Sequence, residues 1–126
     1  MKTRIYYHHT DCGGVVYYAN YLEFFEEART ELFEAKGILI EKLAEEGILF
    51  EVARQEIDYK YPAFYADVLE TRARFMDISA VKIEIAQEIK NQNGKIVCNG
   101  KTTMACVDKN LKPTAIPEGV REKLSS

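Results

Sequence analysis

Between residues 19 and 107 the spacing of apolar residues changes once, from about 3.6 to 2, and this change allows only a helix followed by strands. The stretch ANYLEFFEEARTELFEAKG, residues 19–37, carries the helical part. Tyr21, Phe25, Ala28, Leu32 and Ala35 recur at helical spacing, and Phe24 and Leu22 widen the stripe. Glu26, Glu27, Arg29, Thr30 and Glu34 take other faces. Asn20 with Glu23 three residues on is an N-terminal capping signal, and Gly37 is a stop. A shorter helix follows over residues 40–46, closed by Gly47.

Beyond it the alternation begins. Ile57, Tyr59 and Tyr61 alternate with polar residues until Pro62, and residues 67–77 read as a less regular strand. Val81, Ile83, Ile85, Gln87 and Ile89 mark a strand with one buried face. Asn93-Gly94 is a two-residue hairpin signal before a return strand over residues 95–107. Residues 3–9, TRIYYHH, read as a short first strand. The order predicts an α+β protein with a five-stranded antiparallel sheet. A helix of ~17 residues is ~25 Å long, and five strands make a sheet ~20–25 Å wide. One long helix can lie across the inside of such a curved sheet but leaves its edges open, so at least a dimer is expected.

At 126 residues the chain reads as one domain, residues 1–126. A net charge of −3 supplies no surplus cations to displace counterions from a nucleic acid. Cys12, Cys98 and Cys106 are widely separated, odd in number and outside any C-x-x-C spacing, which reads as reduced thiols in a cytoplasmic protein. The N-terminal residues lack the apolar core of a signal peptide. No apolar run approaches the ~20 residues of a membrane span.

The densest chemistry lies in YYHHTDCGGVVYYANY, residues 6–21. Asp11 stands between a hydrophobic segment and Gly13-Gly14, a few residues before the long helix. Taken by itself, a turn or capping role is the commoner fate of Asp beside Gly-Gly. His8 and His9 with Asp11 and Cys12 invite a metal reading. Adjacent strand residues point to opposite faces, however, and no second ligand cluster follows, so no metal is expected. Cys12 lacks a fixed base partner.

The spacing Arg4-Ile5, then Thr10-Asp11, then Gly14-Val15-Val16 resembles the active-site signature of the 4-hydroxybenzoyl-CoA thioesterase family. DCGGVVYYANYLEFFEEART is most similar to its YbgC-like acyl-CoA thioesterase branch. The resemblance implies the hotdog fold, an antiparallel sheet wrapped around one long central helix. It also implies hydrolysis of an acyl-CoA or acyl carrier protein thioester without metal or organic cofactor, by a homodimer or homotetramer with its active sites between subunits. Position by position, it places the catalytic carboxylate at Asp11, a site tyrosine at Tyr7, and the carbonyl-polarising backbone N–H at Tyr18. YbgC-like relatives carry histidine where this chain has Tyr18, which leaves the backbone role intact.

A thioester requires charge stabilisation at its carbonyl oxygen and a nucleophile or base. First-turn N–H groups of a helix supply the former, and Asp11 supplies the latter by direct attack or by activating water. Gly13 and Gly14 permit a sharp turn and, with Val15, close substrate approach. For the coenzyme phosphates, Arg72 and Arg74 face the same way on one strand, and Lys82 begins the next. Glu23, Glu26 and Glu27 raise a helix-borne glutamate as a rival, though they flank the apolar stripe. A hydratase would need a histidine, such as His9, partnered with Asp11. A non-catalytic acyl-thioester binding module is the other alternative.

Overall fold

Alternation in residues 83–89 sets the inner face of the sheet: Ile83, Ile85 and Ile89 are fully buried and Gln87 nearly so. A computed structural model describes residues 1–126. Strands β1 (Lys2–Arg4), β2 (Leu49–Tyr59), β3 (Val68–Ile78), β4 (Lys82–Lys90) and β5 (Ile96–Val107) form one antiparallel sheet in the order β1-β3-β4-β5-β2. Register shifts between Val52 and Arg54 and between Phe75 and Asp77 interrupt two of the ladders, and bulges of this kind bend and twist a strand. Helices are α1 (Asn20–Ala35, 16 residues), α2 (Ile40–Glu45) and α3 (Glu118–Ser125). None is long and apolar enough to cross a membrane.

The buried face of α1 is Tyr21, Phe24, Phe25, Ala28, Arg29 and Phe33. It is rotated from the predicted stripe: Leu22 and Ala35 are exposed, whereas Arg29, expected on another face, is only 7% exposed. Two apolar clusters hold the helix to the sheet. One groups Tyr21, Phe24 and Phe25 with Ile5, Val16, Leu69, Ile89 and Cys98. The other groups Phe33 with Ile83, Ile85, Met104, Cys106 and residues of α3. Each fully buried side chain of this kind contributes about 1.5–3 kcal/mol.

A polar layer joins α1 to three strands. Arg29 Nη1 donates to Gln87 Oε1 at 3.1 Å and to Thr102 Oγ1 at 3.4 Å. Thr102 Oγ1 donates to Gln55 Oε1 at 2.6 Å, and Gln87 Nε2 donates to the Phe25 carbonyl at 2.8 Å. Burial lowers the Arg29 pKa from its ordinary value, with nearby Glu26 opposing the shift. A guanidinium nonetheless stays charged in proteins, so its hydrogen bonds to Gln87 and Thr102 are what compensate burial.

Four local expectations are corrected. The first strand stops at Arg4, and Tyr7–His9 form a single 3-10 turn closed by bonds from His9 N–H and Thr10 N–H to the carbonyls of Tyr6 and Tyr7. Asn20 does not cap α1. It is the first helical residue, and its side-chain amide donates to the His9 carbonyl at 2.7 Å. Strand β2 starts at Leu49, well before the alternation at Ile57, because its first half is bulged and largely exposed on both faces. The 91–95 connection is longer than a two-residue turn: Asn91 N–H and the Lys95 carbonyl close it at 2.9 Å, Asn91 Oδ1 accepts from Asn93 and Lys95, and Gly94 takes φ +78°. Helix α3 went unpredicted although Val120 and Leu124, both buried, are one turn apart.

Strand β5 lies close under α1 at Gly100. A Cβ there would lie 2.4 Å from the Glu56 carbonyl oxygen in β2 and 3.0 Å from Phe25 Cε2 in α1. Because one neighbour is backbone, Gly100→Ala is expected to cost about 1–3 kcal/mol, measured as a lowered urea midpoint with an unchanged slope.

Candidate active site

The site is built where β1 turns towards α1. Val16, buried among Ile5, Tyr21 and Phe24, anchors the loop, with its N–H on the Ala63 carbonyl at 2.8 Å. Thr10 bridges Val16 and Val15 bridges Phe64, while Asp11 N–H reaches the Val15 carbonyl at 2.9 Å. Gly14 turns the chain with φ +84°, a conformation strained for any residue with a side chain. Asp11 is therefore carried at the tip of a hairpin-like loop with a fixed base.

Asp11 is exposed, and its Oδ1 accepts the Gly13 N–H at 2.8 Å. This is an Asx turn, the bland outcome for Asp before Gly-Gly, and it engages one of the two carboxylate oxygens. Gly13 leaves room for that geometry: a Cβ on it would stand 3.2 Å from Oδ1, a tight contact that the carboxylate would have to shift to relieve. Within one chain Asp11 lines neither the groove on the outer sheet face nor the cleft between α2 and α3.

The helix mouth is held to this loop through His9. Its carbonyl accepts Tyr17 N–H at 2.9 Å and Asn20 Nδ2 at 2.7 Å, while its Nδ1 accepts Tyr6 N–H at 2.9 Å. With Asn20 N–H bonded back to the Tyr17 carbonyl, the backbone N–H groups of Tyr18 and Ala19 have no acceptor in the chain. They are free donors at the positive end of a 16-residue helix. Occupied by Tyr6, His9 Nδ1 makes no hydrogen bond to Asp11, and so the acid–base pair a hydratase would need is not formed.

Aromatic rings surround the mouth. Tyr18, 61% exposed, meets Tyr17 at 5.0 Å and the edge of Tyr59 at 6.1 Å between centroids. Tyr7, 74% exposed, stacks on Tyr65 at 4.1 Å. Beneath them, burial pushes the Tyr21 hydroxyl up to about 12, so it stays neutral.

The predicted cationic residues lie elsewhere. Arg72 and Arg74 do face one way, on the outer side of the sheet, in transverse rows Arg72–Glu88–Asn99–Asp58 and Arg74–Ala86–Lys101–Glu56. These rows line a groove of about 570 Å³. Arg72 is paired with Glu70 at 2.8 Å, and that hydrogen bond holds the Glu70 carboxyl below its ordinary value. Lys82 shares the face but stands four residues from Ala86, ~13 Å along the strand, and does not join the groove.

A model of the thioesterase-like superfamily matches residues 7–124. The chain belongs to this superfamily. It is 37% identical over 123 residues to the acyl-CoA thioesterase YbgC of Haemophilus influenzae, covering 96% of this chain and 90% of that protein. It is 32% identical over 118 residues to the acyl-CoA thioester hydrolase YbgC of Escherichia coli, covering 93% and 88%. The structure of a DHNA-CoA thioesterase from Staphylococcus aureus superposes with a TM-score of 0.94 at 25% identity, over 99% of this chain and 87% of that one. Within this superfamily the five-stranded antiparallel sheet with few helices is the hotdog architecture.

Sequence reasoning missed two residues that tie α1 to its surroundings. Asn20 read as a cap because of its type and spacing, yet its side chain reaches back to residue 9. Arg29 read as surface, although a helical position one turn from Phe25 and Phe33 was a signal for burial. Thiols report on the loop. Cys12 is exposed, whereas Cys98 and Cys106 are buried, the former pushed up to about 12 by burial. A disulfide reagent at pH 8 is expected to modify one thiol in the native protein and all three in denaturant, read as released chromophore.

Proposed function

We propose that the protein hydrolyses acyl-CoA thioesters, with the Asp11 carboxylate acting at a carbonyl whose oxygen rests on the free N–H groups at the mouth of α1. The observation that carries this reading is the pairing of two features. Tyr18 N–H and Ala19 N–H lack acceptors, and a carboxylate sits on the one loop bonded to that helix start. Membership of the superfamily and the YbgC relatives supply the reaction class.

In this mechanism the thioester oxygen accepts from these two N–H groups. Charge developing on it in the tetrahedral state is met by pre-aimed amides and the helix end, an effect worth ~10²–10³ in rate per donor. The Asx turn restrains Oδ1 of Asp11 and leaves the other oxygen available. That oxygen either attacks the carbonyl carbon, giving an anhydride that water then opens, or removes a proton from the attacking water; both routes expel the coenzyme thiol and need the carboxylate ionised. Gly13, Gly14 and Val15 let substrate lie against the backbone, and Tyr7 and Tyr18 line its approach. Arg72 and Arg74 are the cations that the outer sheet face offers to the phosphates of the nucleotide, Lys82 standing outside their groove.

The active unit is a dimer of single-domain hotdog protomers, each sheet wrapping α1 as its central helix. Support comes from the 11 residues of edge strand β2, whose Val52 and Tyr59 are each 48% exposed, an edge that isolated chains seldom leave bare. The seam it would form is the place where the exposed Asp11 gains a wall. Light scattering at micromolar concentration is expected to give a mass of at least twice the 14.5 kDa of one chain.

Asp11→Asn is the direct test. Thiol release from short, long and aromatic acyl-CoAs is expected to fall by about 10²–10⁴ in kcat while the affinity for a non-hydrolysable analogue stays within about threefold. Turnover near the parental rate on every substrate hydrolysed by the parent would remove Asp11 from the mechanism.

A further inference from the structure

We propose that His9 is a positioning residue for the reaction, holding the Asp11 loop and the donors of α1 in register only while its imidazole is neutral. The inference deepens the thioesterase reading and rests on it for its kinetic consequence. One residue makes three bonds to two segments. Its Nδ1 accepts Tyr6 N–H at 2.9 Å from the residue that opens its own 3-10 turn, and its carbonyl accepts Tyr17 N–H and Asn20 Nδ2 from the helix mouth. Asp11 is two residues further along and Tyr18 adjoins Tyr17, so both partners of the chemistry hang from this junction.

Tyr6 N–H is a donor, and the ring nitrogen facing it must therefore be an acceptor, with the imidazole proton on Nε2. Protonation puts a second donor there and breaks the bond. The surroundings favour the neutral ring. The His9 ring is partly buried, its face meets the edge of Phe24 at 5.5 Å, and the His8 ring lies 3.9 Å away. Burial and His8 both lower the His9 pKa from 6.5, and only Glu23, on the first turn of α1, raises it. The Tyr6 ring lies 6.2 Å from His9 between centroids, and the Arg4 guanidinium stands over Tyr6 and Tyr65 rather than over His9. Because the folded value is depressed, the contribution of the Nδ1 bond to this junction is complete above about pH 6.5 and is lost as pH falls through the lower, folded-state value, while the two bonds to the carbonyl do not titrate.

Asparagine separates positioning from bulk packing. Its Oδ1 occupies nearly the place of Nδ1 and accepts the Tyr6 N–H, but it does not titrate. The parent is expected to lose kcat on the acid side with a midpoint below 6.5. His9→Asn should keep kcat within about threefold at pH 7.5 and lack that limb. His9→Ala should lose kcat on the order of tenfold to a hundredfold with a smaller change in KM. Identical acid limbs in the parent and His9→Asn, or full turnover in His9→Ala, would overturn the proposal. A second readout does not depend on turnover: the Tyr6 and Tyr17 amide resonances should titrate together in the parent and not in His9→Asn. If the parent itself releases no thiol from any acyl-CoA, the thioesterase reading fails, and these two amides alone decide the role of His9, for it if they titrate together and against it if they do not.

Discussion

The seating of α1 on the sheet at Gly100 and Gln87 is the constraint from which the rest of the molecule follows. Gly100 removes the one side chain that would hold Phe25 away from the strands, and Gln87 takes the Phe25 carbonyl as a hydrogen-bond acceptor. A helix held at its middle by both packing and a buried amide has little freedom at its ends. Its first turn is consequently fixed relative to β1 and to the loop carrying Asp11. The segment of Tyr18 and Ala19 is held by this seating together with the bonds of Tyr17 and Asn20 to the His9 carbonyl.

How much of this was legible in the sequence depended on whether a residue's role was local. The strand over residues 82–90 was readable because its alternation reports burial on one face, and even Gln87, a polar residue in an apolar series, kept its place in the pattern. The ends of α1 were readable to within a residue from Gly37 and the apolar spacing. The inner face of α1 was misjudged at Arg29 because a charge is ordinarily placed outside. Only the strands opposite, with Gln87 and Thr102, reveal that acceptors await it. Asn20 and His9 show the same limit: each is bonded to a segment far along the chain or around a turn that pattern alone cannot fold.

The loop of residues 10–16 presents the converse case. Asp11, Gly13, Gly14 and Val15 stand together in the sequence, and each has a distinct physical part in the fold: a restrained carboxylate, a missing Cβ beside it, a left-handed turn, and a bridge to Phe64. The cationic residues fared differently. Strand parity correctly put Arg72 and Arg74 on one face, but parity says nothing about distance along a strand, which is why Lys82 falls outside their groove.

The belt formed by Arg29, Gln87, Thr102 and Gln55 separates the interior into two apolar compartments. Directional bonds across that belt tolerate less sliding than oil-like contacts would, so rearrangement in one compartment is poorly transmitted to the other. The compartment beside Tyr21 and Ile57 can therefore be repacked while the far one, closed by α3, goes on supplying stability. Two separately packed interiors are, in such a chain, threaded on opposite ends of a single helix.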